Sequence, residues 1–115
     1  MTPFGSCHCG NITLEVATLP TEVTSCNCSL CRRYAGLWTY YAPGEVTVHY
    51  QQPVKHFYIW GDRDIEHHRC HNCGCLTHYV TTDKCPVKRI AVNARMAEPE
   101  LLEGLKIRQV DGASF

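Results

Sequence analysis

Cys7-His8-Cys9-Gly10-Asn11-Ile12-Thr13-Leu14-Glu15-Val16 runs a chelating turn straight into a strand. Ile12, Leu14 and Val16 alternate with Asn11, Thr13 and Glu15, so the first set faces a core and the second faces out. Gly10 lets the backbone turn sharply enough for N–H groups to face sulfur. A second knuckle, Cys70-His71-Asn72-Cys73-Gly74, lies far along the chain between two strand-like runs, Ile65 to Cys70 and Leu76 to Thr81. Four thiolates from two such knuckles make a closed tetrahedral zinc site, with Zn–S near ~2.3 Å. Metal there ties the first strand to the later part of the chain, and its binding is folding free energy, on the order of 10 kcal/mol in small zinc domains. Cys70 and Cys73 can also be read as a dithiol–disulfide pair, although no βαβ pattern surrounds them. His8 and His71, inside the knuckles, are expected to point outward.

Working outward, short strands dominate. Glu22 to Cys26, Leu37 to Ala42, Val46 to Tyr50, Val54 to Trp60 and Val87 to Ala94 all read as strands, separated by Pro20, Pro43-Gly44 and Gly61-Asp62. Ser29 to Tyr34, with Ser29 as N-cap, and Pro99 to Glu103 are the two helical pieces. The expectation is an all-β single domain over residues 1–115, built from short antiparallel strands with one or two short helices. A chain of 115 residues is one domain's worth, and 44% apolar with 19% charged residues is a globular composition. Eleven basic and eleven acidic residues leave no net charge, so the footprint of a nucleic-acid binder is missing. No apolar run suits a membrane span, and no signal peptide precedes the first strand, so a cytoplasmic location is expected.

Nine cysteines, at 7, 9, 26, 28, 31, 70, 73, 75 and 85, are the anomaly in this composition. An odd count, no visible secretion signal and close clustering favour metal over a disulfide framework, and a reducing compartment follows. Cys26-Asn27-Cys28-Ser29-Leu30-Cys31 supplies three thiols, which leave the fourth position of a tetrahedral zinc open to water or substrate. A thiolate-held metal suits a sulfur ligand, and zinc lowers the pKa of a bound thiol. Two other readings stand beside this one: a closed site completed by Cys75, Cys85 or a histidine, and free redox-active thiols. Arg32 and Arg33 either offset the negative charge or hold a substrate carboxylate, or else are solvated. Trp38, Tyr40 and Tyr41 pack in the sheet or form a substrate wall. His67 and His68, adjacent on a strand, face opposite ways and cannot chelate as a pair. His49, His56 and His78 are read as surface or satisfied core groups.

Gly5-Ser6-Cys7-His8-Cys9-Gly10-Asn11-Ile12, Cys26-Asn27-Cys28-Ser29-Leu30-Cys31-Arg32-Arg33 and Cys70-His71-Asn72-Cys73-Gly74 together resemble the glutathione-dependent formaldehyde-activating enzyme family, which includes centromere protein V-like proteins. Val92-Asn93-Ala94-Arg95 through Val110-Asp111-Gly112 adds a weaker match. The resemblance implies a β-tent fold, two short antiparallel sheets joined over a structural zinc held by Cys7, Cys9, Cys70 and Cys73. It implies a catalytic zinc on Cys26, Cys28 and Cys31, hence two zinc ions per chain. The implied reaction is a carbon–sulfur lyase's, condensing glutathione with formaldehyde to S-hydroxymethylglutathione, or handling a related thiol and small carbonyl. A non-catalytic zinc module that binds a protein is the alternative. Monomer and homodimer both fit the neutral charge. Arg69 and Cys75 depart from the family's usual residues, and Cys85 falls in no motif.

Overall fold

The structure, a computed structural model, describes residues 1–114. The described chain forms strands β1 Thr2–Ser6, β2 Ile12–Val16, β3 Glu22–Cys26, β4 Trp38–Tyr41, β5 Val46–Tyr50, β6 His56–Tyr58, β7 Ile65–Arg69, β8 Leu76–Thr81, β9 Ile90–Asn93 and β10 Lys106–Val110. Two single-turn helices, α1 Cys31–Tyr34 and α2 Pro99–Leu102, complete it with three short 3-10 turns. A three-stranded sheet runs β1-β2-β5, and a seven-stranded sheet runs β10-β3-β4-β9-β8-β7-β6. The fold is therefore all-β, as expected, with one difference: β10 lies parallel to β3, while every other strand pair is antiparallel.

Alternation in β2 sets the packing. Ile12, Leu14 and Val16 are buried, Thr13 is exposed and Glu15 half-buried. Against them stand Val23, Tyr41, Ile90 and Val92 from the inner face of the larger sheet, and this is the main core. The same strands present a second face. The register sets Thr24 beside Trp38, Tyr40 beside Ala91, Ala91 beside Tyr79, and Tyr79 beside His67. Trp38, Tyr79 and Ala91 form a smaller core on this outer face, with Ile65 and Leu76 packed on it. One sheet thus carries two apolar faces, one for the partner sheet and one for a site.

Asn11, expected to face out, is buried because its side chain has work inside: its Oδ1 accepts from the Gln52 amide at 2.8 Å, and its Nδ2 lies 3.8 Å from the Cys70 sulfur. The Val54 to Trp60 strand shortens to three residues, all exposed, because β6 is an edge strand whose pairing with β7 spans only His56 to Tyr58. Beyond it, Gly61 (φ 64°) and Arg63 (φ 65°) turn the chain back over the outer face. Strands β1 and β10 carry no clear alternation. Proline and glycine interrupt the first, and four of five residues in the second are exposed.

His67 and His78 are both buried, and burial pushes the imidazoles down to about 4 and about 3. A depressed folded pKa means the unfolded chain takes up protons first, so stability is held above the unfolded value near ~6.5 and lost as pH falls toward those values. Each should cost roughly 1–2 kcal/mol between pH 7 and pH 5. Urea midpoints at the two pH values should draw together in His78→Gln. Leu14→Ala should lower unfolding free energy by about 2–5 kcal/mol, whereas Thr13→Ala should move it by less than ~0.5 kcal/mol, both read from denaturant midpoints.

Candidate functional site

The loop between β1 and β2 brings Cys7 and Cys9 against Cys70 and Cys73 from the loop between β7 and β8. The four sulfurs all lie within 4.8 Å of one another. Cys7 and Cys9 sulfurs are 3.8 Å apart, and Cys9 and Cys70 sulfurs 3.6 Å apart. A tetrahedron with zinc–sulfur arms of ~2.3 Å has edges of about 3.8 Å, so the spacing fits that ion. Backbone N–H groups face the sulfurs: Ile12 donates to Cys7 at 3.3 Å and Asn72 to Cys70 at 3.4 Å. His8 is exposed and His71 meets Gln52 at 2.9 Å; neither belongs to the sulfur group, and both point away as expected.

Cys26, Cys28 and Cys31 form the second group, again with sulfurs within 4.8 Å. Cys26 ends β3, Cys31 begins α1, and Cys28 lies on the turn between them. Ser29 is not the N-cap. Leu30 occupies that position without a side-chain bond, and the Cys31 amide instead donates to the Cys28 sulfur at 3.3 Å. The Cys28 amide donates to the Cys26 sulfur at 3.5 Å. The tail after β10 covers the trio. Asn27 bonds Asp111 at 2.9 Å and accepts from the Ala113 amide at 3.0 Å. Gly112 passes so close that an added Cβ would stand 2.6 Å from the Cys26 sulfur.

Acidity is unevenly shared within both groups. Burial opposes ionisation of Cys73, but amides of Cys75 and Cys9 and the neighbouring thiols outweigh it and bring it down to about 5. Burial pushes Cys7 up to about 11, with neighbouring thiols adding to the rise. In the trio, burial and then the Cys28 sulfur hold Cys31 up at about 12, while Cys28 itself is lowered despite burial by the amides and thiols around it. In each group some thiols are thus drawn toward ionisation, Cys70 and Cys73 in one and Cys28 in the other, while Cys7 and Cys31 are held back. A dication bound among the sulfurs removes that conflict, and both donor sets fit zinc.

A cavity of about 610 Å³ opens beside the trio on the outer face of the larger sheet. Cys26, Cys28 and Cys31 stand at one end, and Trp38, Tyr40, Ile65, His67 and Tyr79 form the floor. Trp60, Gly61 and Asp62 contribute a wall from the turn after β6. Trp38 and Tyr40 line the cavity, while Tyr41 goes to the main core. Arg32 and Arg33 do not line it; Arg33 donates to the Ser29 carbonyl at 2.6 Å. The cations that do are Arg89 and Arg108. Neither was visible as a site residue, because each lies far from any cysteine in sequence and reaches the cavity only through strand register. His67 and His68 take opposite faces as expected: His68 stacks on His78 at 4.7 Å in a separate cleft between the sheets. Cys75 is half-buried beside Cys73, outside the four-sulfur group, and Cys85 joins neither group.

An all-β chain with two sulfur groups, each able to hold a metal ion, defines the class. The model of the glutathione-dependent formaldehyde-activating enzyme family matches residues 2–103, and the chain belongs to that zinc-binding family. No curated protein matches it. A crystal structure of a Rhodobacter sphaeroides protein is similar, with 27% identity and a TM-score of 0.71 over 90% of this chain and 97% of that one.

Gly112→Ala should force the tail off Cys26, since a 2.6 Å contact with sulfur cannot be kept. Any metal ion that the trio holds should then bind more weakly, read by native mass spectrometry as fewer ions per chain than in the unaltered protein.

Proposed function

We propose that the chain is a zinc-dependent carbon–sulfur lyase-type enzyme that makes or breaks the adduct of a thiol with a small carbonyl, with glutathione and formaldehyde as the leading pair. The observation that carries this reading is the three-sulfur group at the end of a cavity of about 610 Å³. A size in this range suits a small molecule. Three protein donors leave a tetrahedral ion one position short, whereas the four-sulfur group is complete. We assign Cys7, Cys9, Cys70 and Cys73 to a structural zinc and Cys26, Cys28 and Cys31 to a catalytic one, two ions per chain in a single domain.

Zinc bound by the trio supplies a dication that makes a substrate thiol acidic enough to ionise near neutral pH. The protein's own part is positional. Amides of Cys28 and Cys31 orient the ligand sulfurs, and Asn27 holds the covering tail through Asp111 and Ala113. Trp38, Tyr40 and Tyr79 form a floor that confines both reactants, and confinement converts a bimolecular encounter into a local one. In the condensation, the thiolate sulfur forms a bond to the carbonyl carbon and the π electrons move to oxygen. That oxygen takes a proton from water, replacing the one the thiol released, so charge and atoms balance. The cavity beside the trio favours a small-molecule ligand over the alternative of a protein-docking zinc module.

Wild-type protein should carry two zinc ions and turn over glutathione with formaldehyde. Cys28→Ser should retain its circular dichroism spectrum, carry one zinc ion and lose turnover by about 100-fold or more. Unchanged turnover in that variant would sink the reading.

A further inference from the structure

Arg89 is the cation of the cavity lining that has no carboxylate partner. Among the described residues no carboxylate lies within 4.0 Å of its guanidinium. Its position is nonetheless well defined. The guanidinium stands over the Tyr40 ring, 4.8 Å from the centroid, and next to the Tyr79 hydroxyl. Stacking on one aromatic and contact with a second remove much of the freedom an exposed arginine would otherwise lose on binding. Arg108, the other cation of the lining, is already engaged: it donates to Thr24 Oγ1 at 3.2 Å and faces Glu22 at 4.0 Å. Asp62 is the lining's one carboxylate, on the turn that carries Trp60.

Strand register sets the backbone distance between the trio and the residue beneath this cation. Thr24 pairs with Trp38, so Tyr40 lies level with Glu22, four residue steps back from Cys26 along β3. Four steps of strand span on the order of 13 Å. Tyr40 and Cys26 therefore stand toward opposite ends of the cavity floor. A carboxylate drawn into a hollow that holds three thiolate ligands needs a cation to offset the repulsion, and Arg89 is the one in the lining not already facing a carboxylate.

We propose that Arg89 is the carboxylate-binding specificity residue of the site, selecting thiols whose carboxylate lies a peptide's length from the sulfur. This rests on the thiol–carbonyl reading above. The substrate class is a short peptidic thiol with a free carboxylate. Free cysteine, whose carboxylate is only two carbons from the carbon bearing its sulfur, is too short to reach both ends. Thiols without a carboxylate can still enter at the trio but draw nothing from Arg89.

Quenching of Trp38 and Trp60, which both line the cavity, reports occupancy without turnover. Zinc-loaded wild-type protein is titrated with glutathione, glutathione diethyl ester, cysteine and 2-mercaptoethanol, and Arg89→Met and Arg89→Lys are titrated in parallel. Wild type should bind glutathione roughly tenfold or more tightly than its diester. Arg89→Met should erase the preference for glutathione over 2-mercaptoethanol, and Arg89→Lys should restore part of it. Equal affinity of wild type for glutathione and the diester overturns the assignment, with no variant needed. So does an undiminished glutathione preference in Arg89→Met. Failure of wild type to bind any of the four thiols would bring down the thiol–carbonyl reading itself, a different result from thiol binding without carboxylate selection.

Discussion

Four sulfurs brought together from two distant loops are the constraint on which the arrangement rests. Cys9 and Cys70 stand 61 residues apart in sequence and 3.6 Å apart in space. One loop belongs to the three-stranded sheet and the other to the seven-stranded sheet, so the group pins the two layers at one end. Four thiols packed this closely, two of them buried in the main core, repel one another as anions. Their amides, Ile12 and Asn72, are aimed at sulfur and favour the ionised form. A dication at this group would reconcile these tendencies and hold the ends of β2 and β7 in one geometry.

The outer face of the larger sheet is left for other use. The main core takes Ile12, Leu14 and Val16 against Tyr41, Ile90 and Val92. The alternate residues of the same strands, Trp38, Tyr40 and Tyr79, then floor a cavity. Period-two alternation is what allows one sheet to serve packing and binding at once. The trio sits at the rim because Cys26 is the last residue of β3, where the chain leaves the sheet and can wrap three sulfurs around one point.

Much of this was legible in the sequence where local pattern decides. Alternation in Ile12 to Val16 and the runs Glu22 to Cys26 and Leu76 to Thr81 fall where the strands are, since burial on one face writes itself into residue type. The two cysteine groups were legible too, because a chelate needs its donors close in the chain. What stayed hidden depends on partners distant in sequence. Asn11 looks like an outward polar residue until Cys70 and Gln52 arrive beside it. Strand β10 shows no alternation, and its parallel pairing with β3 has no local signature. Arg89 and Arg108 look like ordinary surface cations, while Arg32 and Arg33, adjacent to the cysteines, prove to lie outside the cavity.

Pairing of β10 alongside β3 has a consequence for the order of events during synthesis. Cys26, Cys28 and Cys31 leave the ribosome roughly eighty residues before Gly112, the residue that closes over them. At translation rates of about 5–20 residues per second, that interval is about 4 to 16 seconds. Throughout it the nascent chain carries three neighbouring thiols with their cover still unmade. Their chemistry in those seconds is set by the redox state and free metal of the surroundings, before the folded protein has any say in it.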